Sequence, residues 1–524
     1  MRQARILNEK NRIDKIVFFM KAIVGAAMLL ALSLVLFSDF WITPLGGYAS
    51  QRFLLSFIPG LLIPCLFLSY ARYLPVPLAA VVIASMPTLL LCAAFIVLSL
   101  PYQNDPYAWV EPGMYVFYFF TIFFAGAMLA WFGSALEYTR FLVVVIALAC
   151  TVYGLATISV YLFAVFDGVT DLVGFIPWGF ANIRYWSHIA TWCLPLIPLA
   201  ILTGPVRGHR LWRLFVLLGA GLWWWILFMS SSRGSMLSIV FGVVLVMVLL
   251  GRTAYPWAKV LLKHLLVGIA LWVLLSLVIP SLILGELQVR SIKTDSSGRM
   301  PLFIEAWHMS LQNFPFGMGP QSWLTHDVIT STYANSKKFG HPHNMYLMWA
   351  AEYGWILVMA LAGLVVQAIR SFWRVRVVYG RDEGSTRALL LAGYTASVSA
   401  ALLHAGVSAV FMAPGSMLVG LLVLVGFWAL IQPGMQVVDR GGAVDHRLGL
   451  SKKCQLLAML VLFAIAIGWL AWFKEVWVYY EDMRLDEEYY YSEVGEGVLP
   501  RFWFHGNFPR EVLASGSQEL NEAP

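Results

Sequence analysis

The sequence predicts an all-α membrane protein, a polytopic bundle of about 12–13 transmembrane helices with one large outer loop holding short amphipathic helices. Three observations lead there. The 524 residues are 60% hydrophobic and only 12% charged, with a mean hydropathy of +0.76. Apolar runs of 18 or more residues recur along most of the chain, the length a helix needs to cross the hydrocarbon. Polar and titratable residues, scarce elsewhere, gather in one segment from Glu286 to Trp355. Inside a bilayer a lipid-exposed segment has no water for its backbone, and helices satisfy their own polar groups.

In order, the apolar runs lie near 16–37, 53–70, 76–100, 113–132, 141–166, 187–204, 211–230, 235–251, 257–284, 344–369, 387–409, 415–431 and 454–473. Each is close to the ~20 residues of a membrane span. Met1–Lys15 is basic, and the run that follows is too long for a signal peptide and lacks a small-residue cleavage site. It reads as a retained first helix.

Basic residues set the orientation, since short cytoplasmic loops collect Lys and Arg. Arg2, Arg5, Lys10, Arg12 and Lys15 place the N-terminus in the cytoplasm. Alternating onward, the clusters at Arg207/Arg210/Arg213, Arg252/Lys259, Arg370–Arg387 and Arg440–Lys453 fall on that same side. The chain then divides into helices over 1–284, a large periplasmic loop over 285–343, further helices over 344–473 and an acidic, aromatic periplasmic tail over 474–524. A formal charge of +7 comes largely from the short loops. It is a topology signal, and nucleic acid is not an expected partner.

Cys65, Cys92, Cys150, Cys193 and Cys454 lie in or beside apolar runs and show neither a CxxC nor a Cys/His ligand spacing, so no disulfide framework or zinc site is expected. No DxD in an outer loop, Walker motif, GxSxG or HExxH occurs, and no cofactor is implied.

Four places in the chain can carry chemistry. Arg233 stands among Ser230-Ser231-Ser232 and Gly234-Ser235, between the seventh and eighth spans. It lies on the outer side, where basic residues are disfavoured, and its small neighbours leave room for a ligand. A guanidinium fork suits a phosphate. Arg299 precedes Met300-Pro301 and an amphipathic stretch in which Leu302, Phe303, Ala306, Trp307 and Leu311 form the apolar side. The start of that helix offers unpaired N–H groups beside a cation, a natural anion site. Arg290 and Lys293 are weaker candidates in the same loop, where a solvated charge is the simpler reading.

His341-Pro342-His343-Asn344 leads into the tenth span. No third ligand at suitable spacing accompanies the two histidines, so a metal is not expected. His343 falls at a helix N-terminus, whose dipole disfavours imidazolium, and a neutral imidazole is what a general base requires. Asn344 can cap the helix or bind a sugar hydroxyl. Glu352 is ~13 Å further along the helix and on its opposite side, so it pairs with an arginine or another donor and not with His343. His404, in the eleventh span, reads as a hydrogen-bonded core histidine.

Three landmarks in this order resemble the O-antigen ligase/O-antigen polymerase superfamily of bacterial membrane glycosyltransferases. They are Ser231-Ser232-Arg233-Gly234-Ser235, then Ser297-Gly298-Arg299 leading to Ala306-Trp307 and Phe316-Gly317-Met318-Gly319-Pro320, then Pro342-His343-Asn344 followed by Glu352-Tyr353-Gly354. The resemblance implies a metal-independent, inverting transfer of a glycan from undecaprenyl diphosphate at the periplasmic face of the inner membrane. It implies that Arg233 and Arg299 grip the diphosphate and that His343 activates the acceptor hydroxyl. Asn344, His341, Glu352 and Arg290 are supporting positions. Lipid A-core is the expected acceptor, as for a ligase. A growing glycan, as for a polymerase, is the alternative, and a lipid-linked sugar transporter is a third reading that the one-sided clustering of polar residues disfavours.

Overall fold

The computed structural model describes residues 25–41, 47–73, 78–104, 107–131, 133–169, 171–180, 183–285, 287–288, 298–336, 339–379, 384–432 and 452–489. The basic N-terminal residues, Arg290, Lys293, Ser297, the 433–451 connection and the tail beyond Tyr489 lie outside the described residues.

Among the described residues all regular structure is helical. The principal helices are α1 (Gly25–Leu36), α2 (Gly47–Tyr73), α3 (Leu78–Ser99), α4 (Val110–Trp131), α5 (Ala135–Phe166) and α6 (Ile183–Cys193). They continue with α7 (Arg210–Met229), α8 (Arg233–Leu250), α9 (Tyr255–Trp272), α10 (Arg299–Gln312), α11 (Met345–Tyr379), α12 (Thr386–Ala405), α13 (Pro414–Ile431) and α14 (Lys452–Tyr489). Nine helical stretches among the described residues are long and apolar enough to cross a membrane, and three shorter apolar helices accompany them. One of the nine, Arg233–Ile283, runs 51 residues and turns back at Gly251, which has φ 57°. At 1.5 Å per residue it is too long for one crossing, and its two limbs α8 and α9 each suit a pass. The chain is a multi-pass membrane protein. The last helix runs without a break through residue 474, where the sequence suggested that a tail begins, as far as Tyr489.

Packing is tight where tryptophans and glycines meet. Trp223 donates its indole N–H to the Cys150 carbonyl (2.6 Å), Trp257 to the Pro195 carbonyl (2.8 Å), and Trp225 to the Ser276 hydroxyl (3.1 Å). Each ring fills the core while its one donor is satisfied, as a buried indole requires. Helix α8 lies so close to α12 that a Cβ on Gly242 would stand 2.4 Å from the Ala396 carbonyl oxygen. Small residues permit such approaches between membrane helices, where dispersion and not water drives association. The result for function is that α6, α8 and α12 are held as one unit, with the first turns of α6 and α8 at the end where α12 finishes.

Candidate functional site

The segment 298–343 is a built structure with its own core. Leu302, Ala306 and Met309 of α10 pack with Trp323, Tyr333 and Ala351. The sequence places Leu302, Phe303, Ala306, Trp307 and Leu311 on one apolar side, whereas the structure divides them between two. Leu302 and Ala306 face the core, whereas Trp307 and Leu311 join Met300 and Ile304 on an exposed stripe. The spacing 300, 304, 307, 311 is that of a helix face, and an exposed apolar face beside membrane spans suits the lipid boundary.

Glu305 is buried at the centre of the segment. It accepts from the amides of Ile329 (2.7 Å) and Thr330 (2.9 Å), from the Thr330 hydroxyl and from His326 Nε2 (3.1 Å). Burial alone would raise this carboxyl, but those donors together hold it below its ordinary value. The other nitrogen of His326, Nδ1, lies 3.0 Å from the Trp323 carbonyl. One buried carboxylate thereby folds the loop back over α10.

The loop is fastened to α11 at a break. Gly354 sits inside that helix with φ 81° and ψ 173°. The interruption frees helix carbonyls, and the loop takes them. Met318 N–H donates to the Ala351 carbonyl (2.9 Å) and Gly319 N–H to the Glu352 carbonyl (2.8 Å), while Ile356 N–H turns to the Pro315 carbonyl (3.4 Å). The Glu352 side chain, fully buried, accepts from the Trp323 amide (3.2 Å). The loop backbone is thus one partner of this carboxylate, and the Phe316–Pro320 and Glu352–Gly354 landmarks read as two halves of one joint.

His343, two residues before α11, is buried and has φ 57°. Its amide donates to His341 Nδ1 (3.0 Å). Asn344 caps α11, its Oδ1 accepting from the amides of Tyr346 (3.0 Å) and Leu347 (3.1 Å). A residue at positive φ followed by a capping asparagine fixes where the His343 ring stands.

Arg299 opens α10 behind Gly298, which is left-handed at φ 69°. Arg233 opens α8 and is exposed, with Ser231 before it at φ 48°. The Ser235 hydroxyl, one turn on, donates to the Ser187 carbonyl of α6 (3.0 Å). That tie brings in a residue the sequence reading passed over, Arg184, in the first turn of α6. The signal for it in the sequence is the alternation of spans, which puts Arg184 on the same expected side as Arg233.

These cations act on one another. Arg299 is held below its usual value by burial and by the neighbouring Arg184 and Arg233 guanidinium groups. Burial, with Arg184 and Arg299, pushes His343 down to about 3. Three arginines and one imidazole from four elements therefore share one field, and the imidazole is neutral at pH 7. Among the described residues, neither Arg299 Nε nor His343 Nδ1 has a hydrogen-bond partner, although both atoms are buried. Such a cluster favours a ligand carrying more than one negative charge. Among the described residues no group of three His, Cys, Asp or Glu side chains is placed to hold a metal ion.

At the other end of α10, about 21 Å from Arg299 by helix rise, an apolar groove of 810 Å³ opens between α3 and α11. Leu90, Val97, Phe316 and Met359 line it, with Tyr102 and Asn313 among its polar members.

Residues 214–362 match the family model described as O-antigen ligase, a stretch that contains Arg233, Arg299, His343 and both halves of the Gly317–Gly354 joint. A search of the curated proteins returned no match.

Proposed function

We propose that this chain, which its residues 214–362 identify as a member of the O-antigen ligase superfamily, moves a glycan from undecaprenyl diphosphate to the lipid A-core at the periplasmic face of the bacterial inner membrane. The observation that carries this reading is a chain of neighbouring charges, with Arg184 and Arg299 acting on the buried, neutral His343 and Arg233 acting in turn on Arg299.

The donor diphosphate sits among the arginines. The acceptor hydroxyl oxygen attacks the anomeric carbon from the face opposite the diphosphate, which inverts that centre. As the new C–O bond forms, the bond to the phosphate oxygen breaks and its electron pair leaves with the diphosphate. A ring nitrogen of His343 takes the hydroxyl proton. The arginines offset the charge that builds on the departing group, the electrostatic stabilisation that most lowers such barriers. Burial first, and then the Arg184 and Arg299 guanidinium groups, make His343 a weak base. A bound diphosphate cancels their charge and strengthens the base when the donor is in place. No metal is required, since the arginines supply the positive charge.

The exposed stripe of α10 and the apolar groove suit a substrate whose carrier lies in the bilayer. Purified protein given a synthetic polyprenyl-diphosphate glycan and lipid A-core in the presence of EDTA tests this. The expected product is glycan on lipid A-core. Glycan added to a second donor molecule instead marks a polymerase, and no transfer to either acceptor contradicts glycosyl transfer.

A further inference from the structure

Beneath the arginines lies a buried polar cluster that the proposed chemistry leaves unused. His188 stands on α6 one turn below Arg184, on the same face of the helix. Its Nε2 is 2.7 Å from the Ser408 hydroxyl, and its Nδ1, also buried, has no hydrogen-bond partner among the described residues. His404 of α12 packs against it with ring centroids 5.1 Å apart, and His404 Nδ1 is 3.0 Å from the Thr191 hydroxyl. The His404 ring also backs the start of α8, where a Cβ on Gly234 would stand 3.1 Å from its Nε2. His188 is therefore at the meeting of the three elements that carry Arg184, Arg233 and the end of α12. It also lies within electrostatic reach of Arg299 and His343.

We propose that His188 is a further ligand of the donor's phosphate, with Ser408 fixing the ring for that task. This rests on the diphosphate reading above and extends it one turn further along α6. Ser408 donates its hydroxyl hydrogen to Nε2, which leaves the proton of the neutral ring on Nδ1. A buried N–H without a partner carries the desolvation penalty of an unmade bond, and a phosphate oxygen removes that penalty on binding. A neutral donor here adds direction without adding a fourth positive charge to three arginines. His404 and Thr191 hold the ring from the side and do not reach the ligand. This division of work explains why two adjacent buried histidines have different partners.

The two nitrogens of His188 can be replaced separately. In His188→Asn the side-chain amide takes the place of Nδ1, whereas in His188→Gln it takes that of Nε2. Calorimetry of inorganic diphosphate binding to the detergent-solubilised full chain gives the readout, with melting temperature recorded for every variant. His188→Ala and His188→Gln should weaken binding by roughly tenfold or more, the loss of one hydrogen bond to a charged group. His188→Asn should recover most of it. Thr191→Val, which removes the hydroxyl shared by His404 Nδ1 and the Ser187 carbonyl and leaves both nitrogens of His188 untouched, should have a much smaller effect. Equal binding in wild type and His188→Ala, alongside loss in Arg299→Ala, overturns the role of His188 and leaves the diphosphate reading standing. Thr191→Val as damaging as His188→Ala also overturns it, since packing would then be the cause. A wild-type chain that binds no diphosphate overturns both.

Discussion

Gly317 and Gly354 touch backbone to backbone. A Cβ on Gly317 would stand 2.4 Å from the Gly354 amide nitrogen, and a Cβ on Gly354 would stand 2.1 Å from the Pro315 carbonyl oxygen. Both residues have positive φ, 77° and 81°. This contact locks the loop that carries Arg299 to the helix that follows His343. Gly354→Ala should cost about 3 kcal/mol or more through steric clash and backbone strain together. A lowered melting temperature and faster proteolysis within 298–343 are the expected signs.

Arg184 should matter as much as the two arginines within recognised motifs. Arg184→Ala should raise the donor KM by roughly 10–100-fold through loss of a charged contact. The acceptor KM should stay near its wild-type value. At Arg299, Lys should replace Arg poorly, because an ammonium cannot reproduce the planar fork. Steady-state kinetics with the two substrates varied separately would show both effects.

His343 makes the protein sensitive to acid in a defined window. Its folded value of about 3 lies below its ordinary 6.5, so the unfolded chain binds the proton first as pH falls. The contribution is fully present above 6.5 and is lost progressively towards 3. By pH 5 the loss amounts to roughly 2 kcal/mol at the usual 1.36 kcal/mol per unit. His343→Gln should lose less stability than wild type between pH 7 and 5. Glu305, held below its ordinary 4.5, keeps its stabilising contribution above that value and loses it only at lower pH, so it does not blur the comparison.

Glu305 binds the loop together through four donors at full burial. Glu305→Gln replaces a charged acceptor by an amide that must turn an N–H towards one of those donors. A loss of about 2–4 kcal/mol is expected. Hydrogen exchange should rise at Ile329 and Thr330 before the spans are affected.

The parts of this architecture visible in the sequence are those set by local composition. Apolar runs of span length reported the membrane helices, and a proline in the first turn marked α10. His343 stood out because polar residues are scarce in this chain. What local pattern does not encode is pairing across the chain. Nothing in the residues next to Glu305 sets it apart from any other polar position on α10, yet partners more than twenty residues later make it the centre of the loop. Trp307 and Leu311 were assigned to the wrong face because α10 is apolar on two sides, one towards its core and one exposed. Arg184, like Arg233, is a basic residue on the expected outer side, but it lacks the small flanking residues that single out Arg233. Glu352 signalled a need for a partner, and only the fold showed that a backbone amide of Trp323 fills it.

The central claim is that three arginines bind the donor while one imidazole activates the acceptor, so binding and chemistry should separate at His343. Purified His343→Ala should bind inorganic diphosphate at least as tightly as wild type. In single-turnover transfer from a polyprenyl-diphosphate glycan it should be slower by about 10²–10⁴-fold, the usual contribution of a general base. Transfer at the wild-type rate by His343→Ala would contradict the account.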